Sequence, residues 1–229
     1  MSDIFQEVEE DLRRERLKKA WDRYGIFVIL TAVLIVAITA GYRGYEAWQT
    51  SRARAGGDAF SAVLAAAETT PAETAAAELL GIAGDVPGGY AMLARFRAAT
   101  AYAAAGDDAQ AEKVFAALST DSEIAQVYRD LAQVRLAQTR LDAEDYAGAE
   151  QAAVTIAENA ANPFSYAAQE VMGLAAYGRG DRAEAERWFN ALQDGASVPR
   201  DVAQRARLML ALLAQTRSGA PAASAEETN

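Results

Sequence analysis

The sequence predicts an all-α protein in which one N-terminal transmembrane helix is followed by an α-solenoid, a stack of short helical hairpins. Three observations support this prediction: a long uncharged stretch near the N-terminus, an alanine-rich remainder, and a spacing of small and aromatic residues that recurs in the second half of the chain. Alanine has the highest helix propensity, whereas strands favour β-branched and aromatic residues. No segment of the sequence predicts a strand.

The composition excludes several classes of function. The 229-residue chain contains no Cys and no His, and its formal net charge is −10. Without Cys and His the chain lacks thiolate chemistry, the commonest general base and the commonest metal ligand. The acidic balance argues against nucleic-acid binding, which depends on Lys and Arg neutralising phosphates. We therefore expect no cofactor, no metal and no small-molecule substrate.

Residues 24–42 are the predicted transmembrane helix, because all 19 positions lack a charged side chain. About 20 such residues are needed to cross the hydrocarbon core of a bilayer. Two alternatives are a cleaved signal peptide, whose apolar core is usually shorter, and a buried soluble helix, which normally keeps a polar face. Aromatic side chains anchor spans at both interfaces, and here we expect that role for Trp21, Tyr24, Tyr42, Tyr45 and Trp48.

The distribution of basic residues predicts that the N-terminus is cytoplasmic. Lys and Arg near a span are retained on the cytoplasmic side, whereas acidic residues count for little. Residues 1–23 are then a charged cytoplasmic helix, and the large C-terminal part is exported. The basic residues before the span are Arg13, Arg14, Arg16, Lys18, Lys19 and Arg23, against Arg43, Arg52 and Arg54 after it.

Residues 43–217 are the predicted repeat domain, because short helical segments alternate there with turn signals. One of these signals is the pair Gly56-Gly57, which predicts the end of a helix. Residues 199–217 predict a lone helix that caps the last apolar face of the stack. Residues 218–229 are small and polar, and they predict a disordered tail.

A spacing of small and aromatic residues recurs three times. Small residues allow the two helices of a hairpin to cross closely, and aromatic residues fill the space beside them. This spacing matches the framework of a tetratricopeptide repeat. The three copies are Ala98, Ala99, Tyr102, Gly106, Ala111, Phe115 and Leu118; Met172, Gly173, Ala176, Gly180, Ala185, Phe189 and Leu192; and, more weakly, Leu136, Ala137, Ala149, Ala153 and Ile156.

The order of the parts resembles the bacterial membrane-anchored tetratricopeptide proteins, a family that includes the ancillary subunit of the Sec translocon. The resemblance lies in WDRYG at residues 21–25, the single span, GYRGYEAW at residues 41–48, and the repeats that follow. It implies a single-pass protein of the bacterial inner membrane with its repeats in the periplasm. The partners that it implies are the translocon, periplasmic chaperones and unfolded clients.

In repeats of this kind, the first helix of each hairpin lines a concave face. The residues at the lining positions are mainly apolar, and they lack the Lys, Arg and Asn of repeat domains that clamp peptide carboxylates. This composition favours apolar or helical client segments. The alternative is that the same side chains belong to the core. The predicted groove residues are Leu93, Phe96, Thr100, Val134, Gln138, Leu141, Glu170, Leu174 and Tyr177.

The sequence therefore predicts a non-catalytic interaction subunit that assists the Sec translocon and periplasmic folding factors. The alternative is a structural accessory subunit of another inner-membrane complex, either respiratory or for envelope assembly. Neighbouring carboxylates such as Asp107-Asp108 fall at turns and helix starts, where acidic side chains cap backbone N–H groups. They do not predict a catalytic site.

Overall fold

A computed structural model describes residues 3–67, 69–86, 88–195 and 197–218. These residues form nine helices and no strand, which confirms the predicted all-α fold. The predicted tail lies outside the described residues, except for Ser218 at the end of the last helix. The helices are α1 (Asp3–Ala67), α2 (Ala72–Asp85), α3 (Gly89–Ala104), α4 (Asp108–Thr120), α5 (Gln126–Asp142), α6 (Tyr146–Ala157), α7 (Ser165–Gly178), α8 (Arg182–Asp194) and α9 (Arg200–Ser218).

The chain divides into two compact units, of which the first comprises residues 1–55. Every side chain between residues 26 and 55 is exposed. The part of α1 from Trp21 to Ala67 reaches a mean hydropathy of 2.4 and is long and apolar enough to cross a membrane, in contrast to the other helices of the described chain. The hydroxyls of Thr31 and Thr39 each donate to the carbonyl four residues earlier at 2.8 Å. Their polar groups are thus satisfied within the helix, as a lipid environment requires.

The break predicted at Gly56-Gly57 is wrong, because α1 continues through both residues to Ala67. A Cβ atom on Gly57 would lie 2.9 Å from the hydroxyl oxygen of Tyr90, and one on Gly56 would lie 3.2 Å from the Cβ of Val86. The glycines therefore permit close packing rather than a turn. The ring of Phe60, one turn later, lies 6.2 Å from the ring of Tyr90.

The second unit comprises residues 56–229, and its centre is three consecutive hairpins, α3–α4, α5–α6 and α7–α8. These are the three predicted repeats. The alanine that marks each helix crossing is fully buried at Ala111, Ala149 and Ala185. On the facing helix of the third hairpin, a Cβ atom on Gly173 would lie 2.9 Å from the ring of Phe189. Only small residues fit at these crossings, as the sequence predicts.

The turns inside the three hairpins share one backbone geometry. The first and third place a glycine at positive φ, 79° at Gly106 and 80° at Gly180, whereas the second places Glu144 there at 61°. The aspartate after each of these residues accepts a hydrogen bond from a backbone N–H three positions later, which caps the second helix of the hairpin. The donors are the backbone N–H groups of Gln110 to Asp107 at 3.2 Å, of Gly148 to Asp145 at 3.0 Å, and of Glu184 to Asp181 at 3.1 Å.

Ion pairs connect each hairpin to the next. The guanidinium of Arg140 in α5 donates twice to Glu112 in α4, at 2.6 and 2.8 Å. Arg179, after α7, donates to Glu150 in α6 at 2.5 Å. Both glutamates directly follow the buried alanine of their helix, so the register of the repeat places the two pairs at equivalent points. Because both pairs are partly exposed, each contributes little to the free energy of unfolding. Their main effect is to fix the orientation of neighbouring repeats.

The last helix, α9, closes the apolar end of the stack. It buries Val202, Ala206 and Leu213 in a cluster with Ala185 and Phe189 of the third hairpin. A helical stack needs such a cap, because its final repeat otherwise exposes the face that a further repeat would cover.

We expect Glu144→Gly to stabilise the repeat domain by about 0.5–1 kcal/mol, because glycine adopts a positive φ without steric cost. Thermal unfolding followed by circular dichroism in mild detergent should show a rise in Tm of about 2 °C. The matched control is Glu158→Gly, since Glu158 ends α6 with an ordinary φ of −80°. If the Tm of Glu144→Gly did not exceed that of the control, the positive φ of Glu144 would carry no steric cost, contrary to this prediction.

Candidate protein-binding face

The predicted groove residues lie on the first helices of the three hairpins, α3, α5 and α7. The structure brings four of them together around a cavity of about 250 Å³ between α5 and α7. The other five predicted residues do not line this cavity. Its lining residues are Gln138, Leu141, Asp142, Ala167, Glu170, Val171 and Leu174.

The predicted residues of α3 do not join this cavity. Leu93 is exposed, with 44% of its surface accessible, whereas Phe96 packs its ring 6.3 Å from that of Phe115. The hydroxyl of Thr100 donates to the carbonyl of Phe96 within the same helix at 3.0 Å. Val134 of α5 is 2% exposed and belongs to the core, which is the alternative that the sequence left open.

An ion pair with the cap holds Glu170 in place at the cavity wall. Arg205 of α9 donates to both carboxylate oxygens of Glu170, at 2.6 and 2.8 Å, and to Asp201 at 3.2 Å. Hydrogen bonding to Glu170 raises the pKa of Arg205, and hydrogen bonding from Arg205 lowers the pKa of Asp201. The charge of Glu170 is therefore largely compensated by the chain itself.

The cap also covers one end of the predicted groove. Leu174 and Tyr177 of α7 are half-buried, and they pack against the cluster that contains Val202, Ala206 and Leu213 of α9. Two of the predicted groove residues are therefore partly buried at the end of the stack that α9 closes.

A larger cavity, of about 740 Å³, lies between the first turns of α3 and the start of α5, and the sequence analysis missed it. Its walls come from the end of α2, the first turns of α3, and the segment that joins α4 to α5. The adjacent first helices α5 and α7 touch, and so do α7 and α9, but no contact of similar extent joins α3 to α5 in the described part of the chain. The sequence signal that could have revealed it is the pair of adjacent apolar residues Val127 and Tyr128 at the start of α5. The structure shows that both are exposed.

Four of the carboxylates that the sequence places near turns have structural partners: Asp107, Asp145 and Asp181 cap helices, and Glu184 forms an ion pair with Arg187. Hydrogen bonding from Arg187 lowers the pKa of Glu184, whose carboxylate also accepts a hydrogen bond from the indole of Trp188 at 2.8 Å. This carboxyl group stays ionised at neutral pH and is suited to an ion pair rather than to proton donation. Among the described residues, no group of three or more acidic side chains is arranged to hold a metal ion.

The five predicted membrane-anchoring aromatic residues all lie on α1 with more than half of their surface exposed. The rings of Tyr45 and Trp48 lie 6.1 Å apart, and the guanidinium of Arg52 sits 4.9 Å from the ring centre of Trp48. The members of this set are Trp21, Tyr24, Tyr42, Tyr45 and Trp48.

Removing the guanidinium in Arg205→Ala is expected to destabilise the domain by about 1 kcal/mol, because Glu170 then loses its compensating charge at a largely buried position. Thermal unfolding should show a drop in Tm of about 2–4 °C. The control is Arg207→Ala, which removes an exposed arginine of the same helix and should shift the free energy of unfolding by less than about 0.5 kcal/mol. Equal shifts for the two variants would show that the Glu170–Arg205 pair does not hold the cap.

Comparison with known proteins gives one result that bears on this arrangement. The family model for a tetratricopeptide repeat-like domain matches residues 18–205, which include most of α1, all three hairpins and the first turn of α9. No curated protein and no solved structure matches the chain. Domains of this family typically bind other proteins and carry no catalytic machinery. The chain is a stack of helical hairpins that cross closely at small residues, and the family model matches most of its length. The chain therefore belongs to the tetratricopeptide repeat-like domain family.

Proposed function

We propose that this protein is a non-catalytic interaction subunit, anchored in the bacterial inner membrane by residues 24–42, that assists the Sec translocon and periplasmic folding factors with exported clients. The observation that carries the proposal is the cavity between α5 and α7, which joins apolar Leu141 and Leu174 to polar Gln138. Apolar side chains at a concave site can contact an apolar segment of a client, and a polar group beside them can orient it. The anchor keeps this site beside the membrane, where exported chains emerge.

The proposed topology follows from charge. More basic residues precede the span than follow it, so the N-terminus is assigned to the cytoplasm and the repeats to the periplasm. The exposed apolar surface of α1 between residues 26 and 42 supports a lipid-embedded segment, because a soluble protein does not expose so continuous an apolar face.

A second candidate is a structural accessory subunit of another inner-membrane complex, held mainly through the anchor. One observation favours it: Cβ atoms built on Gly41 and Gly44 would meet no other atom within 4 Å. Small residues on an open helix face allow a second transmembrane helix to approach closely. Replacing residues 24–44 with an unrelated span would abolish co-purification with such a complex, but it would leave partners of the repeat domain bound.

The double variant Val33→Arg/Val36→Arg is expected to release the protein from membranes. An arginine at the centre of a span disfavours insertion by about 2.5–3.5 kcal/mol, so two of them outweigh much of the apolar contribution of the segment. The measurement is the fraction of full-length protein that resists extraction with alkaline carbonate. The control is Tyr24→Arg, because an arginine at the end of the span can reach the interface. Extraction of the unmodified protein by carbonate would contradict anchoring.

Photo-crosslinking in intact membranes tests the partner. A photoreactive amino acid at Leu141 or Leu174 should give adducts with translocon subunits, periplasmic chaperones or exported chains, because both side chains line the cavity. The control position is Gln151, an exposed residue of α6 outside the cavity. Adducts with none of these proteins, or identical adducts from Gln151, would contradict the proposal.

A further inference from the structure

The cavity between α3 and α5 has the properties of a preformed binding site, and it is separate from the cavity used above. Its volume of about 740 Å³ falls in the usual range of about 300–1,000 Å³ for ligand sites. Most of its lining is apolar and includes Leu80, Ala83, Met92, Ile124 and Tyr128. Methionine and tyrosine offer adaptable apolar contact surface, which suits peptide side chains.

One large exposed apolar side chain lines this cavity. Outside α1, the structure exposes five large apolar residues in the part of the chain that it describes, and one of them, Tyr128, is a lining residue. Two others are sequence neighbours of lining residues, since Leu93 follows Met92 and Val127 precedes Tyr128. An exposed apolar side chain at a cavity is typical of an interaction site.

Hydrogen bonds hold one wall of the cavity in a fixed position. Asp121 accepts a hydrogen bond from the guanidinium of Arg95 at 2.6 Å and one from the backbone N–H of Glu123 at 3.0 Å. Arg129 donates to the carbonyl of Ile124 and, at 2.5 Å, to the side chain of Gln126. The wall is therefore ordered before any partner arrives, which lowers the entropic cost of binding.

The charges at the cavity determine which sign of charge on a partner is attracted. The lining cation, Arg95, is already paired with Asp121. The carboxylate of Glu123 lines the cavity in an exposed position, and Asp85 is exposed between the lining residues Gly84 and Val86. Among the residues that line the cavity, the charge that remains after the Arg95–Asp121 pair is therefore that of Glu123, which is negative; Arg129 is not a lining residue, and its guanidinium donates to oxygens of Ile124 and Gln126. A basic group on the partner gains attraction there, whereas an acidic group is repelled.

We propose that the cavity between α3 and α5 binds an apolar peptide segment of a partner protein that is flanked by Lys or Arg. The apolar side chains of the segment fill the space beside Met92, Ile124 and Tyr128. Its basic residues face Glu123 and Asp85. This site goes beyond the proposed function, because it requires neither the translocon nor the cavity between α5 and α7.

The test uses the full-length protein in lipid nanodiscs and two fluorescein-labelled nine-residue peptides, KALLFLLAK and EALLFLLAE. Fluorescence anisotropy should show saturable binding of the basic peptide and binding of the acidic peptide that is at least about tenfold weaker. Equal affinity for the two peptides, or no binding of either, would overturn the proposal.

Two variants locate the site, each with a matched control. Glu123→Lys should weaken binding of the basic peptide about fivefold, whereas Glu158→Lys, the same change in charge at an exposed position that lines neither cavity, should leave the affinity unchanged. Ala125→Trp should fill the cavity and abolish saturable binding, whereas Ala117→Trp on an exposed position of α4 should not. Circular dichroism confirms that each variant remains folded.

The outcomes separate this proposal from its alternatives. A third variant, Asp142→Lys, changes the cavity between α5 and α7. Loss of affinity in Asp142→Lys but not in Glu123→Lys would place the peptide in that cavity and overturn the proposal. Association of the protein with itself, detected by light scattering and removed by Ala125→Trp, would show that a second copy of the chain occupies the cavity, and this result would also overturn the proposal. Failure to crosslink the translocon from Leu141 leaves these binding results unaffected, so the two proposals can fail independently.

Discussion

The close approach of two helices at a small residue is the constraint on which the repeat domain depends. Ala111, Ala149 and Ala185 have no accessible surface, and the chain offers no disulfide to hold the hairpins together. Close-packed alanine-rich helices bury little apolar area per residue, so contacts have to be dense to be effective. The larger side chains of Phe115 and Phe189 are almost fully buried in the first and third hairpins, at 3% and 1% exposure.

Repetition lets local features fix much of the remaining geometry. Each hairpin turn is set by a residue at positive φ and an aspartate cap, and each glutamate after a crossing alanine meets an arginine of the following repeat in the first two hairpins. Because neighbouring repeats contact each other through the same positions, small differences in one linking segment change the spacing between two repeats. The segment around Ile124 lines the cavity that lies between α3 and α5.

The sequence was sufficient to predict the features that depend on residues close together in the chain. The small and aromatic spacing around Ala111 and Ala185 predicted the hairpins, and the glycines before Asp107 and Asp181 predicted their turns. The role of Gly57 could not be predicted in this way. Its neighbour Tyr90 lies 33 positions later, and only the folded chain shows that the glycine provides space rather than a break.

The binding surfaces were predicted less completely, for a similar reason. Helical periodicity assigned Leu141, Leu174 and Val134 to one face, but it could not show that the first two line a cavity whereas Val134 is buried in the core. Likewise, nothing local to Glu170 indicated that Arg205 of the cap would engage it. The cavity between α3 and α5 depends on the distance between two helices, which no periodic pattern encodes.

The threonines of α1 determine what kind of lateral contact the helix can make. Since Thr31 and Thr39 already donate their hydroxyl protons along their own helix, they have no donor left for a neighbouring helix. In the proposed membrane span, contact with a second helix would therefore depend on the packing of apolar side chains and not on hydrogen bonds from these hydroxyls. Such a contact would tolerate the loss of either hydroxyl.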